Sequence, residues 1–248
     1  MKKYIFTVLI ILCSVNIYTQ EMQISGGNDF GGGVFKVNND FWFNSGGNYY
    51  FCNEDSTTAF FAPGLSFTIR VFPDDNTFSR GFVFRSRVMF ITNGKMFGTI
   101  TVNDYSERIS ETFSISDDFS TSIMDFGLGE SVRYKISDRL QFHTDLGVNL
   151  TWMDSEDNMN NNNTFNYLGA GVFSDLAFQV NFTPKLYLEL GSNAIINIFS
   201  SQKGKMQIPE VNIKTEYEDT GRLDLVSVAF YIQIGWRYDL KIKKKPDH

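Results

Sequence analysis

The sequence predicts an all-β fold: an up-and-down antiparallel transmembrane β-barrel of eight strands. Three observations carry that expectation. Apolar and polar residues alternate with period two over long stretches, the signature of a strand with one face in an apolar medium and one in a polar medium. The stretches outrun the roughly 5–6 residues of an ordinary globular strand and reach the roughly 9–11 that cross a bilayer at a tilt. The connections between them alternate strictly between short and long.

The first strand is the least regular, with Met22, Ile24 and Phe30 in a Gly-rich segment. Residues 59–72 set Phe61, Leu65, Phe67, Ile69 and Val71 against Gly64, Ser66, Thr68 and Arg70, and 80–92 set Phe82, Phe84, Val88 and Phe90 against Arg85 and Arg87. Residues 122–136 place Met124, Phe126, Leu128, Val132 and Tyr134 opposite Asp125, Gly127, Gly129 and Arg133. Glu130 falls on the apolar side there, which points to a bulge or a rim position. The cleanest stretch is 140–152, where Leu140, Phe142, Leu146, Val148, Leu150 and Trp152 oppose His143, Asp145, Gly147 and Asn149. Residues 167–182, 186–198 and 223–238 repeat the pattern, with Asp175, Glu189 and Arg237 on their polar sides.

Three connections are short and rich in turn formers: 73–77, 137–139 and 183–185. Four are long and polar: 34–58, 93–121, 154–166 and 199–222. In an up-and-down barrel that alternation puts short periplasmic turns at one end and long extracellular loops at the other.

Periodicity alone leaves open which face is wet. A soluble periplasmic ligand-binding β-barrel would turn its apolar stripes inward. Three features favour the membrane: the strands are long, every stripe is rich in Phe, Leu and Ile, and glycines recur on the polar side (64, 127, 129, 147, 169, 171, 191, 235). Glycines relieve crowding in a narrow lumen but would only weaken a solvated outer face. Tyr134, Trp152, Phe182, Trp236 and Tyr238 stand near strand ends, as lipid-interface aromatics do.

The chain opens with Lys2 and Lys3 and the apolar run 4–12, too short to span a bilayer as a helix. The expected organisation is a signal peptide over 1–20, a barrel over 21–240 and a basic tail over 241–248. Cleavage would leave Cys52 as the one cysteine and a mature chain two charges more acidic than the −6 of the whole, a balance that argues against nucleic acid as a partner.

With the strand pattern in place, the chain resembles the small eight-stranded outer-membrane β-barrel proteins of diderm bacteria, the OmpW-, OmpX- and opacity-protein-like group. The resemblance covers nearly the whole mature chain and rests on architecture, with no sharp motif. It implies a bacterial outer membrane location, membrane lipid and the barrel-assembly machinery as partners, and, from the OmpW side, a path for small hydrophobic solutes. One departure is the tail after Trp236 and Tyr238, where many members end on an aromatic residue.

Inside the barrel, Arg70, Arg85, Arg87, Asp125, Arg133, His143, Asp145, Asp175, Glu189 and Arg237 form a candidate lumen network. Buried charges need partners, so the network reads either as a structural plug or as a narrow polar path for ions or small solutes. His143 and Asp145 share a face, as an acid–base couple would, yet no serine is placed with them, and the better reading is a hydrogen-bonded lumen pair. No enzymatic activity, cofactor or metal site is expected, since there is no HxH or CxxC spacing. The long connections are the other candidate, as a structural anchor or adhesin whose loops bind an extracellular ligand. Three of the four are net acidic, and 34–58 holds Phe41-Trp42-Phe43 and Tyr49-Tyr50-Phe51.

Overall fold

The computed structural model describes residues 21–45, 48–104, 109–157, 163–208, 213–221 and 224–240. The expected signal peptide and basic tail lie outside them. The strands are β1 (Glu21–Ser45), β2 (Asn48–Phe72), β3 (Phe78–Asp104), β4 (Ile109–Lys135), β5 (Leu140–Asp157), β6 (Asn163–Asn181), β7 (Leu186–Ile208), β8 (Ile213–Gly221) and β9 (Leu225–Asp239). Neighbours pair antiparallel from β1 round to β7, β7 pairs with β9, and β9 returns to β1. Eight strands therefore close a ring. β8 and β9 are the upper and lower parts of its eighth position: β8 pairs with the top of β7 and β9 with the bottom. Closure through β9 pairs both edges of every strand in the lower ring, which a sheet in hydrocarbon requires, and above it β8 pairs with β7 alone.

Burial alternates along each wall in the reverse of a soluble protein. On β9 the outward Phe230 and Ile234 are 66% and 64% exposed. On the inward side, Arg133 and Glu189 are both 0% exposed. A belt of Phe, Leu, Ile and Val faces out from all eight ring positions, as the lipid-facing band of a membrane barrel does. Tyr134, Phe182, Trp236 and Tyr238 face outward near the short-turn end and Trp152 near the other, the levels at which amphipathic rings meet headgroups. Among the described residues no helix is long and apolar enough to cross a membrane; the crossing is made by strands.

The short turns and both ends of the described chain lie at one end of the barrel. At the other, the four long connections are present, but most of their length continues the β-ladder. β1 and β2 pair as far as Ser45 with Asn48, and β3 and β4 as far as Asp104 with Ile109. Stretches such as Thr99-Ile-Thr-Val-Asn103 retain alternation and β-branched residues, so they keep strand geometry where their polarity reads as loop. From Val34, the last outward apolar residue of β1 among the described side chains, to Ser45 the wall rises roughly a further 25–30 Å. Phe41, Trp42, Phe43, Tyr49 and Tyr50 lie on this hairpin, their side chains outside the described set.

Two bulges adjust the ring. On β3 the pairing slips between Ile91 and Gly94, so residues inward below are continued by the opposite phase above. On the β6–β7 ladder it slips between Ala170 and Gly171, opposite Ile198. Glu130 causes no slip: it sits in regular ladder opposite Phe82 and Leu146 and pairs with Arg80 on the outer surface.

Candidate functional site

The lumen is filled from one mouth to the other, and its contents change with height. At the inner mouth Glu21 collects three donors: Arg133 Nη1 at 2.7 Å, Gln23 Nε2 at 2.7 Å and, as an ion pair, Arg237 Nε at 3.0 Å. Arg133 also donates to the Asp74 carbonyl at 2.9 Å and lies 4.3 Å over the Phe72 ring. The 73–77 turn is thereby folded over the mouth. Ser79 Oγ, at the start of β3, donates to the Asp74 carboxylate of that turn, which holds the Asp74 carboxyl below its ordinary value.

One level up, His143 and Asp145 part company. His143 Nε2 shares a 3.0 Å hydrogen bond with Gln179 Oε1, and its ring packs against Phe72 at 5.9 Å. Asp145 instead takes Arg70, at 2.8 Å from Nη2. The lumen pair expected between them is not formed. Neighbours two apart on one strand face point along parallel directions some 6–7 Å apart, and each finds a nearer partner across the barrel.

The centre is a chain of charges from five strands. Arg70 of β2 bridges Asp145 of β5 and Glu189 of β7, the latter at 2.6 Å. Tyr231 of β9 brings its hydroxyl to Asp175 at 2.5 Å and to Glu189 at 3.2 Å. Arg85 of β3 reaches Asp175 at 3.4 Å and lies 5.2 Å from the Phe173 ring. Glycines make room for the rings. Tyr231 lies where a Cβ on Gly191 would stand, at 2.3 Å, and Tyr187 covers Gly235 at 2.1 Å. No larger residue fits at either without moving a ring, which gives the polar-side glycines their role.

Above this, Arg87 donates to Asp125 at 2.6 Å and to Ser227 at 3.1 Å, and Thr151 donates to the other Asp125 oxygen at 2.6 Å. Asn197 and Tyr167 carry the network on to Asp224, which accepts from Tyr167 at 2.8 Å and Gln202 at 3.2 Å and also bonds Ser200. Next to this network stands a septum that the sequence reading, which filled the lumen with polar groups, lacks. Phe35, Phe60, Ala62, Met89, Ile91, Ile123, Met153, Tyr167 and Leu225 form one buried apolar cluster. Seven of the eight ring positions contribute to it. Phe35 and Tyr167 meet edge to face, ring centroids 5.1 Å apart.

The ten residues of the candidate network all point inward; nine are buried, and the side chain of Arg237, at 14% exposed, is the most open. The structure joins them in three groups rather than one: Arg133 with Arg237 through Glu21, Arg70 and Arg85 with the central carboxylates, and Arg87 with Asp125. His143 stands between the first two groups, bonded to neither charge. Sequence reasoning left out Glu21, Asp224, Tyr167, Tyr187 and Tyr231. For the tyrosines a signal was present, since Tyr187 and Tyr231 occupy polar-side positions of their strands. Glu21 begins β1 and Asp224 sits at the break before β9, where alternation gives no phase. Among the described residues no group of three His, Cys, Asp or Glu is placed to hold a metal.

No family model and no curated protein matches the chain. Solved structures are similar in topology. The outer membrane protein OprG from Pseudomonas aeruginosa aligns over 90% of this chain and 97% of its own, with 14% identity and a TM-score of 0.44. Ail, the attachment invasion locus protein of Yersinia pestis, solved with the heparin analogue sucrose octasulfate, aligns over 89% and 99%, with 8% identity and a TM-score of 0.43. The outer membrane protein AlkL, solved in lipid bilayers, aligns over 92% and 95%, with 13% identity and a TM-score of 0.41.

Proposed function

We propose that this chain is a non-enzymatic anchor of the bacterial outer membrane, a closed barrel that holds a β-sheet beyond the lipid for contact with an extracellular ligand. The observation that carries the reading is the septum. Its members come from seven ring positions, and Ala62, Met89 and Ile123 are each 0% exposed. A path for water or polar solutes would leave such residues exposed, and one lined by apolar side chains at contact distance excludes ions. Below the septum, the arginines are held by carboxylates at 2.6–3.4 Å, which leaves them committed to the protein. The wall beyond the belt supplies the working surface: β1 to β4 pair side by side there, a stiffer platform than four independent loops.

The test is conductance. The full mature chain, reconstituted in planar bilayers, is expected to give no stepwise current above the lipid background, and Arg85→Ala is expected to stay equally silent. Stepwise current through the unaltered chain, changed by Arg85→Ala, would overturn the anchor reading in favour of a narrow channel. Fractionation of cells on a density gradient tests the location, with recovery in the inner membrane or the soluble fraction as the contrary result.

A further inference from the structure

One residue in the lipid-facing belt is out of place. Asn28 lies on the outer face of β1 and is exposed. Its cross-strand neighbours are Leu65 on β2 and Ile232 on β9, themselves 58% and 51% exposed. Along its own strand Phe30 faces the same way. Ile24, four residues below, is level with the interfacial Trp236, which puts Asn28 roughly 10 Å deeper in a belt about 25 Å tall. Its amide therefore stands near mid-bilayer.

Other polar groups on this surface have local answers. Arg80 and Glu130 pair with each other, and the hydroxyls of Ser86, Thr144, Ser174 and Ser192 are short enough to bond their own backbone. An asparagine amide carries two donors and an acceptor, and hydrocarbon offers it nothing. On the outer face of β1 it stands between Gly26, which has no side chain, and Phe30.

We infer that the outer face of β1 around Asn28 is a membrane-buried contact with a second copy of this chain. An asparagine facing its own symmetry mate is self-complementary: across a two-fold axis each amide donates to the other's carbonyl oxygen. A second copy thus satisfies both amides at once, as polar side chains do between membrane segments. The flanking Leu65, Ile232 and Phe30 pack around the pair and exclude lipid from it.

The experiment uses the full mature chain in phosphatidylcholine vesicles, with donor- and acceptor-labelled populations mixed at increasing lipid dilution. Energy transfer is expected to persist beyond random proximity, and Asn28→Leu is expected to weaken association by about tenfold. Leu150→Ala, on the far wall, should leave it unchanged. Heat-modifiable migration on a gel verifies that each variant is folded. In a Cys52→Ser background, Asn28→Cys should form a disulfide-linked dimer on mild oxidation, and Leu150→Cys should not. Energy transfer no greater than random for the unaltered chain, or equal transfer for a folded Asn28→Leu, overturns the inference and leaves the amide to lipid.

Discussion

The inner half of the lumen is held by ion pairs, and the outer half adds a buried apolar cluster to its polar groups. Toward the short turns, the interior is Arg70, Arg133, Glu21, Asp145, Asp175 and Glu189, joined by direct ion pairs. Toward the extended hairpins an apolar cluster of Met89, Ile91, Ile123, Met153 and Phe60, joined by contact alone, stands beside the hydrogen-bonded line from Arg87 to Asp224. Both halves are dry, but they fail differently. A charge pair fixes partner and direction and is intolerant of losing one member, because the survivor is left buried and uncompensated. An apolar cluster has no partner to orphan, and its loss is graded with the volume removed. The lower half thus sets the register of distant strands, and the upper half closes the bore.

The sharpest break of that contrast is Arg70→Ala. It strands Asp145 and Glu189 together at the centre and is expected to destabilise the folded barrel by about 3–5 kcal/mol. Urea titration of the reconstituted protein, read by tryptophan fluorescence, measures it. Asp145→Asn in the same background should recover part of the loss by removing one of the two stranded charges. A loss no larger than that of an outer-half alanine would mean the pairs are not the more demanding half.

In the upper half, Ile123→Ala removes volume without orphaning a polar group and is expected to cost about 2–4 kcal/mol. With Met89→Ala added, the septum loses two side chains from adjacent strands, and the bilayer conductance absent from the unaltered chain is expected to appear. A folded double variant that stays silent would show that the polar layer below seals the bore unaided. Within the inner half, Gly235→Val sets the new side chain against the Tyr187 ring. Overpacking of this kind costs about 1–3 kcal/mol, and Tyr187→Ala in the same chain should relieve it. The same urea titration reads both, and absence of relief would separate the glycine from the ring.

How much of this was legible in the sequence follows from what period-two alternation encodes. It places Arg70, Asp145, Asp175 and Glu189 on one face, because side-chain direction is a property of the strand backbone. It does not say that Arg70 meets Glu189, 119 residues away, since that depends on how the ring closes and on the stagger of each pair. The septum was hidden for another reason. Ile91, Ile123 and Met153 lie at the ends of the regular stretches, and the β3 bulge beyond Ile91 reverses the phase. An inward apolar residue there reads as the alternation fading. The extended hairpins were hidden by polarity: above the lipid both faces of a wall are free to be polar, and the contrast that marks a strand is weaker.

The smallest expected effect lies at the inner rim, where the ion-paired half meets water. Asp74 belongs to the exposed turn, and the Ser79 hydrogen bond is the chief reason its carboxyl titrates below the ordinary 3.8. The lowered value fixes the sign. Well above pH 3.8 the group is ionised in folded and unfolded chain alike, and the hydrogen bond contributes in full. As pH falls through that value the unfolded chain takes up the proton first, so stability declines until the folded carboxyl is also protonated. Solvent screening at so open a site keeps the contribution below about 1 kcal/mol. Asp74→Asn should therefore flatten the stability-against-pH curve as pH falls through and below 3.8, while leaving the Arg133 contact to the Asp74 backbone carbonyl in place. If the curve keeps its full slope, the acid sensitivity belongs to the ion pairs deeper in the lumen, and the turn is only their cover.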